Sequence, residues 1–380
     1  MKIVLAPDSF KGTMSSMEVI EHLAAAAKKH FNQVEIIKVP IADGGEGTVD
    51  ALVSALNGEY RHVEACGPLG SPVRAKYGIV NGDTAVIEMA QASGIMLLEP
   101  GQLNPLYTTT YGTGQLIKAA LDDGIRKIII GIGGSATNDG GIGAAQALGV
   151  RFLDADNNEV GFGGKELSRI NHIFISGLDE RIQSTQITVI CDVSNPLTGE
   201  TGATRTFGPQ KGATPEMLEE LEQGMVHYSQ VVRDKLGIAV NSIPGSGAAG
   251  GMGAALIGFL GAELCSGINV VLDLVGFDGI LDGADLVVTG EGRIDGQTVF
   301  GKVPVGIAGR CKSKGVRVIA VAGCLGQDSE KVYDFGIDGI MQTVQKDMSL
   351  EEALKRAGED LSAAAERMFR LIKVGMELKV

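Results

Sequence analysis

Five cysteines in 380 residues (Cys66, Cys191, Cys265, Cys311 and Cys324) are odd in number, widely scattered and never spaced as C-x-x-C. That pattern excludes a disulfide framework and a cysteine zinc site, and it leaves these residues as small apolar members of a core. Histidine is equally scarce. His22, His30, His62, His172 and His227 never stand as H-x-H or H-x-x-x-H, so no two share a face as metal ligands. There is no G-x-S-x-G and no histidine inside a glycine-rich loop, which removes a serine hydrolase. No apolar run approaches the ~18 residues a bilayer requires, and the stretch IVLAP after Met1 and Lys2 stops at Asp8, too early for a signal-peptide core. A cytoplasmic protein with no membrane partner is expected. Basic runs are missing too: with a net charge of −13 and a pI near 4.9, nucleic acid is excluded as a partner, and an anionic small substrate would require a local cluster of cations.

What is present is an apolar, weakly charged chain, 44% hydrophobic and 21% charged, long enough to bury a large core and to form two domains. KIVLAP is a short buried strand, and Ser15 with Glu18 is a capping box that starts a helix. VEIIKVP, the polar loop ADGGEGT and the helical VDALVSAL repeat the order strand, loop, helix, which is the grammar of a parallel sheet. The grammar breaks at HVEACGPLG, SPVRAKYGIV and GDTAVIEMA, which follow one another with only turns between them, one at Asn81-Gly82. Antiparallel strands are implied there. Alternation resumes with RKIIIGI, QITVICD, ADLVVTG and VRVIAVAG, and a second S-x-x-E box at Ser349 opens a helix with apolar residues at Leu350, Leu354, Ala357, Leu361, Ala364 and Met368. The expected fold is α/β with two domains: a Rossmann-like parallel sheet domain from residues 1–60 and 280–380, and a second α/β domain with antiparallel strands, 61–279, inserted into it.

Glycine is abundant, 55 residues or about twice the usual share, and it gathers in loops at the ends of strands: PDSFKGT, IADGGEGT, GIGGSATNDGG, CDVSNPLTG and TGEGRIDGQT. Such loops let backbone N–H groups approach an anion, and a following helix N-terminus adds partial positive charge. Their polar residues are carboxylates (Asp8, Asp43, Asp139, Asp192, Asp295) beside Lys11, Arg293 and hydroxyls. Carboxylates with lysine and glycine suit magnesium-assisted phosphoryl transfer. Asp192 stands out because it directly follows the apolar run ITVIC and precedes a proline-containing loop instead of a helix it could cap, so it is a candidate base or metal ligand. FGPQKGAT, with Lys211, is either an anion contact or an exposed loop. Two motifs mislead. Gly296, Gly301 and Lys302 have P-loop spacing, but Val303 lacks the hydroxyl a Walker loop gives to magnesium, and GSGAAG at 245–250 follows Pro244 where a dinucleotide fingerprint requires a strand. A nucleotide-dependent dehydrogenase and a non-catalytic binding protein stay open as alternatives.

In order, APDSFKGT, DGGEGT, TTYGTGQLI, GGSATNDGG, CDVSNPLTG, FGPQKGA, PGSGAAGG and TGEGRIDGQT with GKVPVG resemble the motif series of the bacterial glycerate kinase family, the type typified by glycerate 2-kinases. The resemblance runs from about residue 3 to about residue 325. It implies ATP-dependent phosphorylation of D-glycerate with Mg²⁺ as cofactor, in a cleft between two α/β domains. On that footing Asp192, Lys11 and Asp43 are the catalytic candidates, with Asp192 also the metal ligand. Asp8, Ser9, Arg293 and Asp295 are the substrate-binding candidates, and Gly133, Gly134, Ser135, Asn138 and Asp139 the ATP-binding ones. The residues do not fix whether the 2- or the 3-hydroxyl is phosphorylated, although the family favours the 2-position; a homodimer is left open.

Overall fold

The structure is a computed structural model that describes residues 1–344, 346 and 348–378. Its strands, in chain order, are β1 Lys2–Leu5, β2 Glu35–Lys38, β3 Glu59–Cys66, β4 Pro72–Val80, β5 Thr84–Glu88, β6 Lys127–Gly131, β7 Arg151–Leu153, β8 His172–Phe174, β9 Gln186–Ile190, β10 Glu263–Cys265, β11 Leu286–Ile294, β12 Arg317–Leu325 and β13 Gly339–Gln342. The chain divides into two compact units: Met1–Asp43, Asp50–Leu56 and Ser266–Val380 in one, Gly44–Val49 and Asn57–Cys265 in the other.

The first unit holds a five-stranded sheet in the order β13-β12-β11-β1-β2, parallel at every pairing. The helix Ser16–His30 begins at the capping box, where Ser15 Oγ accepts from Glu18 N and the Glu18 carboxylate accepts from Ser15 N. It packs on the C-terminal helix Leu350–Glu377, and Ile20, Leu23, Leu361, Met368 and Phe369 join Ile3, Leu5 and Val288 of the sheet in one core. Full burial of each large apolar side chain is worth ~1.5–3 kcal/mol, so this seam is what fastens the end of the chain to its beginning.

The second unit is mixed. Its six-stranded sheet runs β10-β9-β6-β5-β4-β3; the first four strands are mutually parallel, and β5, β4 and β3 are antiparallel. Asn81 and Gly82 turn the β4–β5 hairpin with φ of 54° and 76°. The architecture is α/β, with a Rossmann-like parallel unit into whose sequence a second α/β unit is inserted.

Two local readings are corrected. TGEGRIDGQT is not wholly a loop, because β11 continues through Thr289–Ile294 against β12. The apolar pattern stops at Val288, but Gly290 keeps the ladder intact: a Cβ there would press into the Val321 carbonyl oxygen. The cysteines are also less uniform than composition suggests. Cys311 is buried, whereas Cys66, Cys191, Cys265 and Cys324 are half-buried, and all five are free thiols. Among the described residues, no helix is long and apolar enough to cross a membrane.

Candidate active site

In the first unit the strand order reverses between β1 and β11: the chain proceeds from β1 to β2 on one side, and from β11 through β12 to β13 on the other. Open α/β sheets bind ligands outside the carboxyl ends of strands at such a point. Here the chain leaving β1 is held to β11 by Ala6 N donating to Val288 O and Asp8 N donating to Gly290 O, both at 2.8 Å. Asp8 is thereby fixed with only 4% of its surface exposed, one oxygen accepting from Ser9 N at 2.7 Å. Burial, reinforced by the negative charge of Asp43, pushes its carboxyl up to about 7 against the opposing pull of Lys11 and the Ser9 N–H.

Three further charges complete the cluster. The Lys11 ammonium lies 3.8 Å from an Asp43 oxygen; burial works against its charge, but Asp43, Asp8 and Glu291 outweigh that, so its pKa rises and it stays protonated. Glu291, buried near the end of β11, accepts from Thr298 Oγ1 at 2.7 Å and faces the Lys302 ammonium at 3.5 Å, while burial raises its carboxyl. Arg293 projects two residues further along the strand, its Nε donating to Asp295 at 3.0 Å. The other Asp295 oxygen accepts from Gln297 N, so Asp295 shapes the turn and orients the guanidinium. Asp8, Ser9, Lys11, Asp43, Glu291, Arg293 and Lys302 line one cavity of about 400 Å³.

Of the residues expected from sequence, Asp8, Ser9, Lys11, Asp43 and Arg293 therefore share one cavity, with Asp295 behind Arg293. Glu291 was not among the candidates, although its signal was present: like Asp8, it is an acidic residue just past an apolar strand run. Lys302 joins the same cavity as a partner of Glu291 and not as a Walker lysine, for it precedes the helix Val303–Lys314 without capping it through its side chain.

The remaining candidates lie in the second unit, at the carboxyl ends of two adjacent parallel strands. Gly133 and Gly134, just beyond β6, are exposed; Ser135 is 8% exposed, and Asn138 and Asp139 are fully buried. Asp139 is occupied locally: one oxygen accepts from Thr110 N at 2.8 Å and Thr110 Oγ1 at 2.9 Å, the other from Gly141 N at 3.1 Å. It holds the loop from beneath. So does Lys211, whose fully buried ammonium donates to Ser135 Oγ at 2.9 Å and Thr137 O at 2.6 Å, and whose pKa burial lowers to about 7. Lys211 is thus not an exposed loop residue. The GSGAAG segment has the same purpose. Ala249, Gly250 and Gly251 are left-handed, and a Cβ on Gly250 would press into the Thr137 carbonyl oxygen, so these glycines serve close packing under the loop. Asp192, two residues past β9, is exposed.

A profile of the Glycerate kinase family matches residues 3–373. A glycerate kinase of Bacillus subtilis (strain 168) is 50% identical over 375 residues, 98% of each chain. A glycerate 2-kinase of Escherichia coli (strain K12) is 47% identical over 377 residues, 99% of each. The crystal structure of a protein assigned as glycerate kinase 2 from Salmonella typhimurium LT2 superposes with a TM-score of 0.90 at 47% identity, each chain covered in full. With matches of this length and identity, and the motif loops set at the ends of parallel strands, the chain belongs to the glycerate kinase family.

Proposed function

We propose that this protein is a glycerate 2-kinase, which transfers the γ-phosphoryl group of ATP to the 2-hydroxyl of D-glycerate and releases 2-phosphoglycerate and ADP. The observation that carries the reading is the buried Asp8 carboxyl at the strand switch point, raised to about 7 among Asp43, Glu291 and Lys11. A carboxylate with that proton affinity suits removal of a proton from an alcohol at neutral pH, and general-base help of this kind is worth about 10²–10⁴ in rate. Lys11 and Arg293 supply positive charge for the acid's carboxylate, Asp43 and Asp295 hold these cations in place, and Ser9 offers a hydroxyl. The 47% identity to the Escherichia coli glycerate 2-kinase supports the 2-position over the 3-position.

In the second unit, Gly133, Gly134 and Ser135 are proposed to donate to ATP phosphate, with Asn138 and Asp139 shaping the loop from within. Magnesium fits the donor set. Asp192 offers an exposed carboxylate at the same sheet edge as the glycine loop. Mg²⁺ characteristically takes one or two carboxylates and draws its other ligands from phosphate and water. Bound there, it would neutralise developing phosphate charge; Asp192 would be its protein ligand. We assign the two compact units as the functional domains and the cytoplasm as the setting. With D-glycerate, ATP and Mg²⁺, Asp192→Asn should lower kcat by about 10²–10³-fold and change its Mg²⁺ dependence, the scale of losing one electrostatic contact to the transferring group. A near-normal kcat with unchanged Mg²⁺ dependence would remove Asp192 from this role.

A further inference from the structure

A second cavity, of about 390 Å³, lies in the first unit between the chain that follows β13 and the C-terminal helix, and Asp8, Lys11, Asp43 and Glu291 take no part in it. On the helix, Arg356, Asp360, Ala363 and Arg367 follow at spacings of four, three and four residues, which sets them on one face. Thr343 and Lys346 line the cavity from the strand side. Its charges do not balance. Among the described lining residues, Lys346, Arg356 and Arg367 stand against the single carboxylate of Asp360, which leaves an excess of two positive charges. Glu359, 3.8 Å from Arg356 Nη2, is 79% exposed, so solvent screens it.

Three polar atoms of this lining also lack partners. Arg356 Nε, Arg367 Nη2 and Asp360 Oδ2 are buried, and none has a hydrogen bond among the described residues. Arg356 is partly engaged, its Nη2 lying 3.4 Å from Asp360 Oδ1, whereas Arg367 has no ion pair among the described residues. Buried polar groups cost stability unless something supplies the missing bonds. What is missing is two acceptors, one donor and roughly two negative charges. A phosphate group supplies the acceptors, with about −1.5 to −2 charge at neutral pH and oxygens enough for both guanidinium groups and Lys346. A hydroxyl supplies the donor to Asp360, where a further acid group would be repelled. We infer that this cavity binds a small phosphorylated hydroxy acid, its phosphate among Arg356, Arg367 and Lys346 and its hydroxyl on Asp360 Oδ2. Ala363, between the charged residues of the helix face, leaves room for the carbon skeleton. The site goes beyond the kinase reading and uses residues outside every motif loop.

The test is calorimetric titration of the full chain with 2-phosphoglycerate and, separately, with 3-phosphoglycerate, each in excess D-glycerate so that the first cavity is occupied. One equivalent should bind per chain. The tighter isomer identifies the source: the 2-isomer is the product proposed for this chain, and the 3-isomer would be supplied by another reaction. Arg367→Gln should weaken this binding about tenfold or more, the scale of one charge-assisted hydrogen bond, and Arg367→Lys, which keeps the charge, should weaken it less. Without phosphoglycerate, kcat of both variants should stay within about twofold of wild type, which shows that they fold. Asp360→Ala should bind inorganic phosphate at least as tightly as wild type and lose the preference for phosphoglycerate over it. No binding in excess D-glycerate, binding that Arg367→Gln leaves unchanged, or equal wild-type affinity for inorganic phosphate and both phosphoglycerates would each overturn the assignment. The kinase reading fails separately: no phosphoglycerate formed from D-glycerate and ATP would refute it, while binding lost in Arg367→Gln would still uphold this site.

Discussion

At the residue scale, Asp8 has an unusual proton affinity whose effect on stability has a definite sign. Its folded-state pKa, about 7, lies above the ordinary 3.8, so its contribution favours folding at low pH and is lost as pH rises towards and through 7. Above that the protein carries a buried carboxylate beside Asp43 and Glu291. Asp8→Asn should therefore unfold a few degrees higher than wild type at pH 8, with the advantage shrinking as pH falls towards 4, while kcat drops about 10²–10⁴-fold. Thermal melts across that range and steady-state assays check both; a variant destabilised at pH 8, or one with normal kcat, would remove Asp8 as the base. Asp8 itself was legible as a site residue from its place after IVLAP. Its shifted pKa was not, because the shift arises first from burial in the folded chain and then from Asp43, with a smaller contribution from Glu291, which lies 283 positions away along the chain. The burial of Lys211 was equally hidden, since nothing in FGPQKGA says that its ammonium turns inward to Ser135 and Thr137.

At the element scale, sequence reading succeeds where local chemistry decides the outcome. A capping box at Ser15 and an N-cap at Ser349, whose Oγ accepts from Glu352 N at 3.2 Å, open the two helices of the core seam, and Asn81-Gly82 turns the hairpin. It fails where a neighbouring strand decides. The end of β11 has little apolar pattern, yet it stays in the sheet because Gly290 lets β12 approach closely. Gly290→Ala should cost roughly 1–3 kcal/mol by overpacking and lower Tm by several degrees. Its kcat should fall too, because the Gly290 carbonyl holds Asp8 N. Calorimetry and kinetics together check this, and an alanine variant as stable and active as wild type would mean that the close approach of β11 and β12 is dispensable. The C-terminal helix teaches the converse: its apolar spacing correctly marks a helix, but the pattern alone cannot separate Leu361, covered by protein, from Leu354, exposed in the cavity.

At the scale of the whole molecule, the alternation of strand and helix specifies an α/β chain with an interrupted parallel sheet, and the glycine-rich loops lie at the carboxyl ends of the strands in both units. No single motif carried the family, because a P-loop spacing and a dinucleotide fingerprint also occur by coincidence; their ordered series did, and it extends along nearly the full chain. What composition and motif order cannot supply is the position of phosphoryl transfer, which depends on the pose of a small acid to within about an ångström. The direct test is phosphorus NMR of the products formed from D-glycerate, ATP and Mg²⁺ by the purified protein. A 2-phosphoglycerate resonance growing in step with ADP is the expected result. A 3-phosphoglycerate resonance would contradict the assigned position, and no ADP formed in the presence of D-glycerate would contradict the function itself.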